Sequence, residues 1–214
     1  MKVEHLVVAP ILLSLGTAAL MLLLGEGRRG FKAVVNVAST ATGLGLAIAL
    51  LIAVDTREAP AAFSVYLPGN WPVPYGIVLL ADRLSAMMLV LAGSLGLAAL
   101  LYALARWQHA GVYFHLLFQL QMMGLYGAFL TADLFNLFVF FEVLLAASYG
   151  LLLHGGGLAR VRAGLHYIAI NLLASLLFLI GVAILYGVTG TLTMADIAHK
   201  LPDVPVSDRG LLHA

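Results

Sequence analysis

The chain has 214 residues, 63% of them hydrophobic and 10% charged, with a formal net charge of +1 and a mean hydropathy of +1.05. Soluble domains carry about 25% charged residues, so this composition excludes a small soluble globule, and the near-neutral charge offers nucleic acid no basic patch. The lack of cysteine excludes disulfides, thiolate nucleophiles and cysteine-ligated zinc or iron–sulfur centres.

A helix that crosses a bilayer needs about 20 mostly apolar residues. Six runs qualify: 6–24, 33–54, 82–105, 112–130, 134–153 and 165–188. They predict an all-α integral membrane protein, with 1–214 forming part of a single membrane domain. The first run exceeds the apolar core of about 7–15 residues in a signal peptide. Its cations Arg28, Arg29 and Lys32 follow it rather than precede it, and no small-residue cleavage site closes it. It therefore reads as a retained helix. On the second run, Ser39, Gly43 and Ala47 form a stripe of small residues, which favours close helix packing.

Between runs two and three, AFSVYL (62–67) and GIVLL (76–80) flank the turn-rich LPGNWPVPY. This predicts an outer hairpin or loop over 56–80. After the sixth run, Thr193 and Asp196 stand at capping-box spacing. Met194, Ile197 and Leu201 then recur at helical spacing until Pro202. The pattern predicts an amphipathic helix over 193–201, lying on the outer surface. The final RGLLHA reads as the first turn of a seventh helix, so the chain is expected to be an N-terminal fragment. The cations Arg28, Arg29, Lys32, Arg106, Arg160 and Arg162 fall in the short loops after runs one, three and five. Lys2, Arg57, Arg83, Lys200 and Arg209 are spread over longer loops on the other side. Cytoplasmic loops are enriched in Lys and Arg, which puts the N-terminus outside the cytoplasm.

Glu142 lies mid-way along the fifth run, nine residues after Asp133 and eleven before Leu153. A charge near the midplane costs roughly 3 kcal/mol, so such a residue faces protein or water, is paired, or is protonated. Desolvation raises a carboxylate's pKa and a nearby cation lowers it, which suits a proton carrier. The alternative is a protonated Glu that hydrogen-bonds a neighbouring helix. Tyr149 shares its face two turns away, out of direct contact. Asn136 and Ser148 point elsewhere and read as interhelical hydrogen-bond groups. Gln119 and Gln121 on the fourth run, and Asn171 and Ser175 on the sixth, extend a candidate polar pathway. His154 and His166, near the inner ends of runs five and six, are candidates to relay protons or to sit at the interface. The other histidines, His5, His109, His115, His199 and His213, are scattered without metal-ligand spacing. No phosphate loop, dinucleotide fingerprint or nucleophile elbow occurs. No metal, no cofactor and no enzymatic activity are expected.

GAFLTADLFNLFVFFEVLLAASYGLLL (127–153), GNWPVPYGIVLLADRLSAMM (69–88) and YGVTGTLTMADIA (186–198) resemble the D subunit of the Mrp-type multisubunit Na+/H+ antiporters. The wider superfamily includes the proton-pumping subunits of complex I and membrane-bound hydrogenases. Those tend to carry FWE where this chain has Phe140, Phe141 and Glu142, so the FFE form favours the antiporter family. The resemblance implies fourteen transmembrane helices in two inverted five-helix repeats. It also implies an ion pair between Glu142 and a lysine on helix seven, past Ala214. The implied activity is Na+ extrusion coupled to proton movement through Glu142. It would be run with other subunits of a hetero-oligomeric antiporter in the cell (inner or plasma) membrane. A proton-pumping subunit of a complex I-type oxidoreductase or hydrogenase is the alternative.

Overall fold

The computed structural model describes residues 3–25, 28–56, 63–71, 73, 75–105, 113–205 and 210. Lys2, Arg57, Arg106, His109, Arg209 and His213 lie outside the described residues, as does RGLLHA apart from Gly210. The helices are α1 (Val3–Leu23), α2 (Arg29–Asp55), α3 (Arg83–Leu104), α4 (Phe114–Leu130), α5 (Leu134–Leu153), α6 (Leu158–Thr189) and α7 (Met194–Lys200). Each of the six apolar runs falls on one of α1 to α6. Five of these are long and apolar enough to cross a membrane; α4 is equally apolar but only 17 residues long. At 1.5 Å per residue it reaches about 26 Å, the short end of the spanning range.

The sequence sets several boundaries by capping. Asp82 starts α3: its carboxylate accepts from the Ser85 amide at 2.7 Å, and the Ser85 hydroxyl accepts from the Asp82 amide at 2.9 Å. Asp133 starts α5 by accepting from the Asn136 amide at 2.8 Å. Gly190, at φ 66°, ends α6 in the left-handed conformation that glycine takes without strain.

Three readings need correction. Lys32, assigned to a loop, lies in the first turn of α2 and is only 6% exposed. Arg160 and Arg162 likewise lie in α6, which starts at Leu158, and Arg160 donates to the carbonyl oxygen of His154. In both cases the apolar run stopped at the first charge while the helix did not; long basic side chains can lay their stems along apolar neighbours. The third concerns α7. Thr193 occupies the N-cap position without a side-chain capping bond, and Asp196 turns forward to Lys200 at 3.0 Å. The capping box does not form.

The hydrogen bond from Lys200, and then one from Thr191, hold the Asp196 carboxyl below its ordinary 3.8. A depressed carboxylate adds stability above its unfolded value and loses it as pH falls through the folded value. The protection of α7 amides, taken relative to the unfolded chain at the same pH, should therefore be steady above pH 3.8 and fall below it, and added salt should weaken the effect because the pair is exposed.

The helix α4 forms the centre of the core. Its Phe118, Met122, Tyr126 and Leu130 belong to one buried cluster with Val7 and Ile11 of α1, Leu50 of α2 and Leu89 of α3. Strands β1 (Ser64–Tyr66) and β2 (Leu79–Ala81) pair antiparallel, with Val65 opposite Leu80. The turn before α5 is stitched to this hairpin and to the start of α7. Ala132 donates to the carbonyl of Val78, Leu134 to that of Leu192, and Met194 to that of Ala132, each at 2.9 Å. One end of the bundle thus carries a layer of extended backbone.

Candidate functional site

Glycine sets the position of α5. A Cβ at Gly124 would sit 2.9 Å from the Leu144 backbone nitrogen, and one at Gly127 would overlap the Phe140 ring. Bare backbone at these positions brings α5 against α4 and fixes its rotation. With Phe140 and Leu144 turned to α4, Glu142 is half-buried, and its Oε1 is shielded without a hydrogen-bond partner.

The aromatic residues beside it lean on α6. Phe138 stacks on Phe178 at 6.4 Å between ring centroids, and Phe141 meets the same ring edge-on at 6.3 Å. Tyr149 meets Tyr167 edge-on at 5.6 Å and lies within electrostatic reach of Glu142. Asn171 and Ser175 line a cleft of about 220 Å³ with Phe138, Phe141 and Leu145. Asn171 also donates to the Tyr167 carbonyl of its own helix. The apolar faces of α5 and α6 are mostly uncovered.

Asn136 and Ser148 are not the interhelical groups expected. Asn136 donates to the Thr131 hydroxyl in the turn before α5, and Ser148 to the Leu145 carbonyl of its own helix. His166 is exposed and bonded to the Arg162 carbonyl.

The predicted polar pathway separates into two places. Tyr149, Asn171 and Ser175 lie with Glu142 on the α5–α6 side. Gln119 and His154 do not. Gln119 is fully buried against α2, where it donates to Asn36 Oδ1 at 2.6 Å and to the Thr40 hydroxyl at 3.1 Å. The Asn36 amide nitrogen lies 2.9 Å from His115 Nδ1. Lys32 and His154 act electrostatically on His115, and His154 is buried at the C-terminal end of α5 against the Phe114 ring at 5.8 Å. Nearby, the Thr17 and Ser39 hydroxyls bond at 2.8 Å across α1 and α2. Gln121 Oε1 is another shielded oxygen without a partner.

The sequence reading passes over Asn36 and Thr40 and names Lys32 and His115 only as a loop cation and a scattered histidine, although a signal existed. Positions 32, 36 and 40 are spaced by four on α2, as are 115 and 119 on α4, so each set shares one helix face.

A family model described as NADH:quinone oxidoreductase/Mrp antiporter, TM, matches residues 131–209. A Rhizobium meliloti protein named as the probable D subunit of a K(+)/H(+) antiporter is 56% identical over 98% of this chain and 39% of its own length. The D subunit of the Na(+)/H(+) antiporter of Alkalihalophilus pseudofirmus is 38% identical over 94% of this chain and 40% of its own. Among solved structures, a chain of the Mrp complex from Dietzia sp. DQ12-45-1b matches with a TM-score of 0.85 at 30% identity, covering 99% of this chain and 40% of that one. The chain thus spans about two fifths of the length of the relatives it matches.

Proposed function

From the premise that this chain belongs to the D-subunit family of Mrp-type antiporters, we propose that it forms the N-terminal part of a multi-pass membrane subunit exchanging cations for protons. Other subunits complete the hetero-oligomer. The proposed setting is the cell membrane, with α1 to α6 all crossing and fourteen helices in two inverted repeats in the full-length protein. Glu142 is the proton-handling group and pairs with a lysine on the seventh transmembrane helix of the full-length protein. The observation that carries this reading is a mid-helix carboxylate with a shielded, unpartnered oxygen, in a chain that aligns over nearly all its length with part of proteins named cation/proton antiporter subunits. Tyr149, Asn171 and Ser175 supply polar groups beside it on the α5–α6 side. The complex I-type alternative has the breadth of the family model and a likeness of fold to chains of respiratory membrane complexes behind it, whereas the two relatives compared above are both named antiporter subunits.

The transported cation is Na+ or K+. The K+/H+-named relative is the more similar of the two compared, at 56% against 38% identity, and this favours K+. The test is proton-gradient-driven exchange in vesicles holding the full-length protein with its partners. Adding K+ or Na+ should collapse the proton gradient. A gradient indifferent to both cations counts against the reading.

The orientation has its own test. Cysteines introduced singly for Arg29, Arg162 and Tyr75 should divide by side. Tyr75 is 85% exposed at the hairpin end of the bundle. It should label with an impermeant maleimide from outside intact cells, and positions 29 and 162 only after permeabilisation. The reverse pattern inverts the topology.

A further inference from the structure

The network between α2 and α4 is not part of the Glu142 side, and its hydrogen bonds run in one direction. Gln119 donates to Asn36 Oδ1 and to Thr40 Oγ1. This leaves the Asn36 amide nitrogen facing His115 Nδ1 at 2.9 Å. An amide N–H can only donate, so Nδ1 accepts and the ring is the neutral Nε2–H tautomer. His115 is 3% exposed, and Asn36 and Gln119 are fully buried. Three buried polar atoms along the α4 face lack partners: His115 Nε2, Gln119 Oε1 and the Tyr126 hydroxyl. The Tyr126 hydroxyl lies where Gly43 and Gly93 would carry side chains, about 3.2 and 3.1 Å from their Cβ positions. A polar atom buried without a partner forfeits the hydrogen bonds it made with water. Helix packing alone has no need of a file of such atoms.

Resting on the reading of this chain as part of an antiporter, we propose that His115 is a second proton-binding site, separate from Glu142. Its proton occupancy sets the direction of the Asn36–Gln119–Thr40 hydrogen bonds. A proton taken from cytoplasmic water adds to the Nδ1 lone pair and makes an imidazolium. Nδ1–H then donates, so Asn36 must turn its amide to present Oδ1. The freed Asn36 N–H donates to Gln119 Oε1, the oxygen now without a partner, once Gln119 turns as well. The Thr40 hydroxyl rotates from acceptor to donor on that same oxygen. Only the Nδ1–H bond forms, no electrons move, and release of the proton reverses each step.

The two directions are discrete, because one amide cannot turn alone without setting two donors or two acceptors face to face. This makes the network a two-state element that a single proton biases. The titratable and charged groups facing the ring are Lys32 from α2 and His154 at the end of α5. Arg160 of α6 is held on the His154 carbonyl.

The test is the exchange rate of the assembled, full-length complex in inside-out vesicles, with cytoplasmic-side pH varied from about 5 to 8, where histidine titrates. His115→Gln should flatten the wild-type profile across this window. Asn36→Asp places a carboxylate on Nδ1 and favours Nδ1–H, so its midpoint should move alkaline by about one to three units. Thr40→Val removes one hydrogen bond to Gln119 from each of the two states, so it serves as a control whose midpoint should stay near that of the wild type. Glu142→Gln, measured in parallel, tests the antiporter reading by itself. If that variant is inactive while the assembling network variants keep the wild-type profile, the network is packing and the second site is wrong. A variant that fails to assemble leaves the decision to the other: a wild-type profile in an assembled His115→Gln, or an unmoved midpoint in an assembled Asn36→Asp, overturns the proposal.

Discussion

Glu142→Gln should assemble with its partner subunits and exchange cations at least about a hundredfold more slowly than the wild type, the lower end of what a positioned proton carrier contributes. The argument sets ionisation against hydrogen bonding. Gln keeps the length and shape of Glu and can both donate and accept, so a residue that only bonds a neighbour would tolerate it. A residue that carries a proton or holds a lysine would not, because Gln has no ionised form. The unpartnered, shielded Oε1 leaves the bonding role with little to lose. Glu142→Asp retains the charge but withdraws it by one methylene, so it should keep part of the rate. Glu142→Ala should be as inactive as Gln. It should also weaken assembly, since a lysine left buried without its carboxylate costs about 3–5 kcal/mol. Proton-gradient-driven exchange and subunit assembly must be measured on the same preparations. Wild-type exchange by an assembled Glu142→Gln complex removes the proton-handling role.

The helices were legible because hydrophobicity over about 20 residues is a strong, local signal. The hairpin was legible because β-prone residues flank a run dense in Gly, Pro and Asn. Glu142 stood out for the same reason: a carboxylate is conspicuous where everything else is apolar. Helix starts were less readable. Lys32 looked like loop because it is charged, yet α2 begins at Arg29, and burial of a lysine in a first turn depends on what α4 and α5 bring to it. The role of Gln119 was misread in the same way. Periodicity says which residues share a helix face but not which helix that face meets, so Gln119 was grouped with Glu142 although it bonds Asn36 and Thr40. The faces α5 and α6 present to lipid or to further helices follow from packing partners, which a hydropathy reading does not contain.

Gly124→Ala should destabilise the protein more than alanine at any open glycine on these helices, because the atoms it meets belong to a backbone. A Cβ at Gly124 lies 2.9 Å from both the Leu144 nitrogen and Leu144 Cβ, and 3.0 Å from its Cα. No rotamer change clears the Leu144 nitrogen and Cα, so α4 and α5 must move apart along their length. Gly127→Ala adds to this on the same face: its Cβ would overlap the Phe140 ring, which packs against the core. Overpacking of a close-packed core costs about 1–3 kcal/mol, and separation also forfeits dispersion contacts between the two helices. Two controls isolate the cause. Gly96→Ala comes closest to the Met122 sulfur and methyl, at 2.7 and 2.9 Å, and a flexible thioether can swing aside. Gly16→Ala has nothing within 4 Å and should gain slightly from helix propensity. The measurement is the amount of folded, assembled protein that survives a temperature ramp in detergent. The expected order of stability is Gly16→Ala and wild type highest, Gly96→Ala close behind, then Gly127→Ala and Gly124→Ala. If Gly124→Ala melts with the wild type, the helices α4 and α5 are not in backbone contact there. The rotation that turns Glu142 away from α4 would then have a different origin.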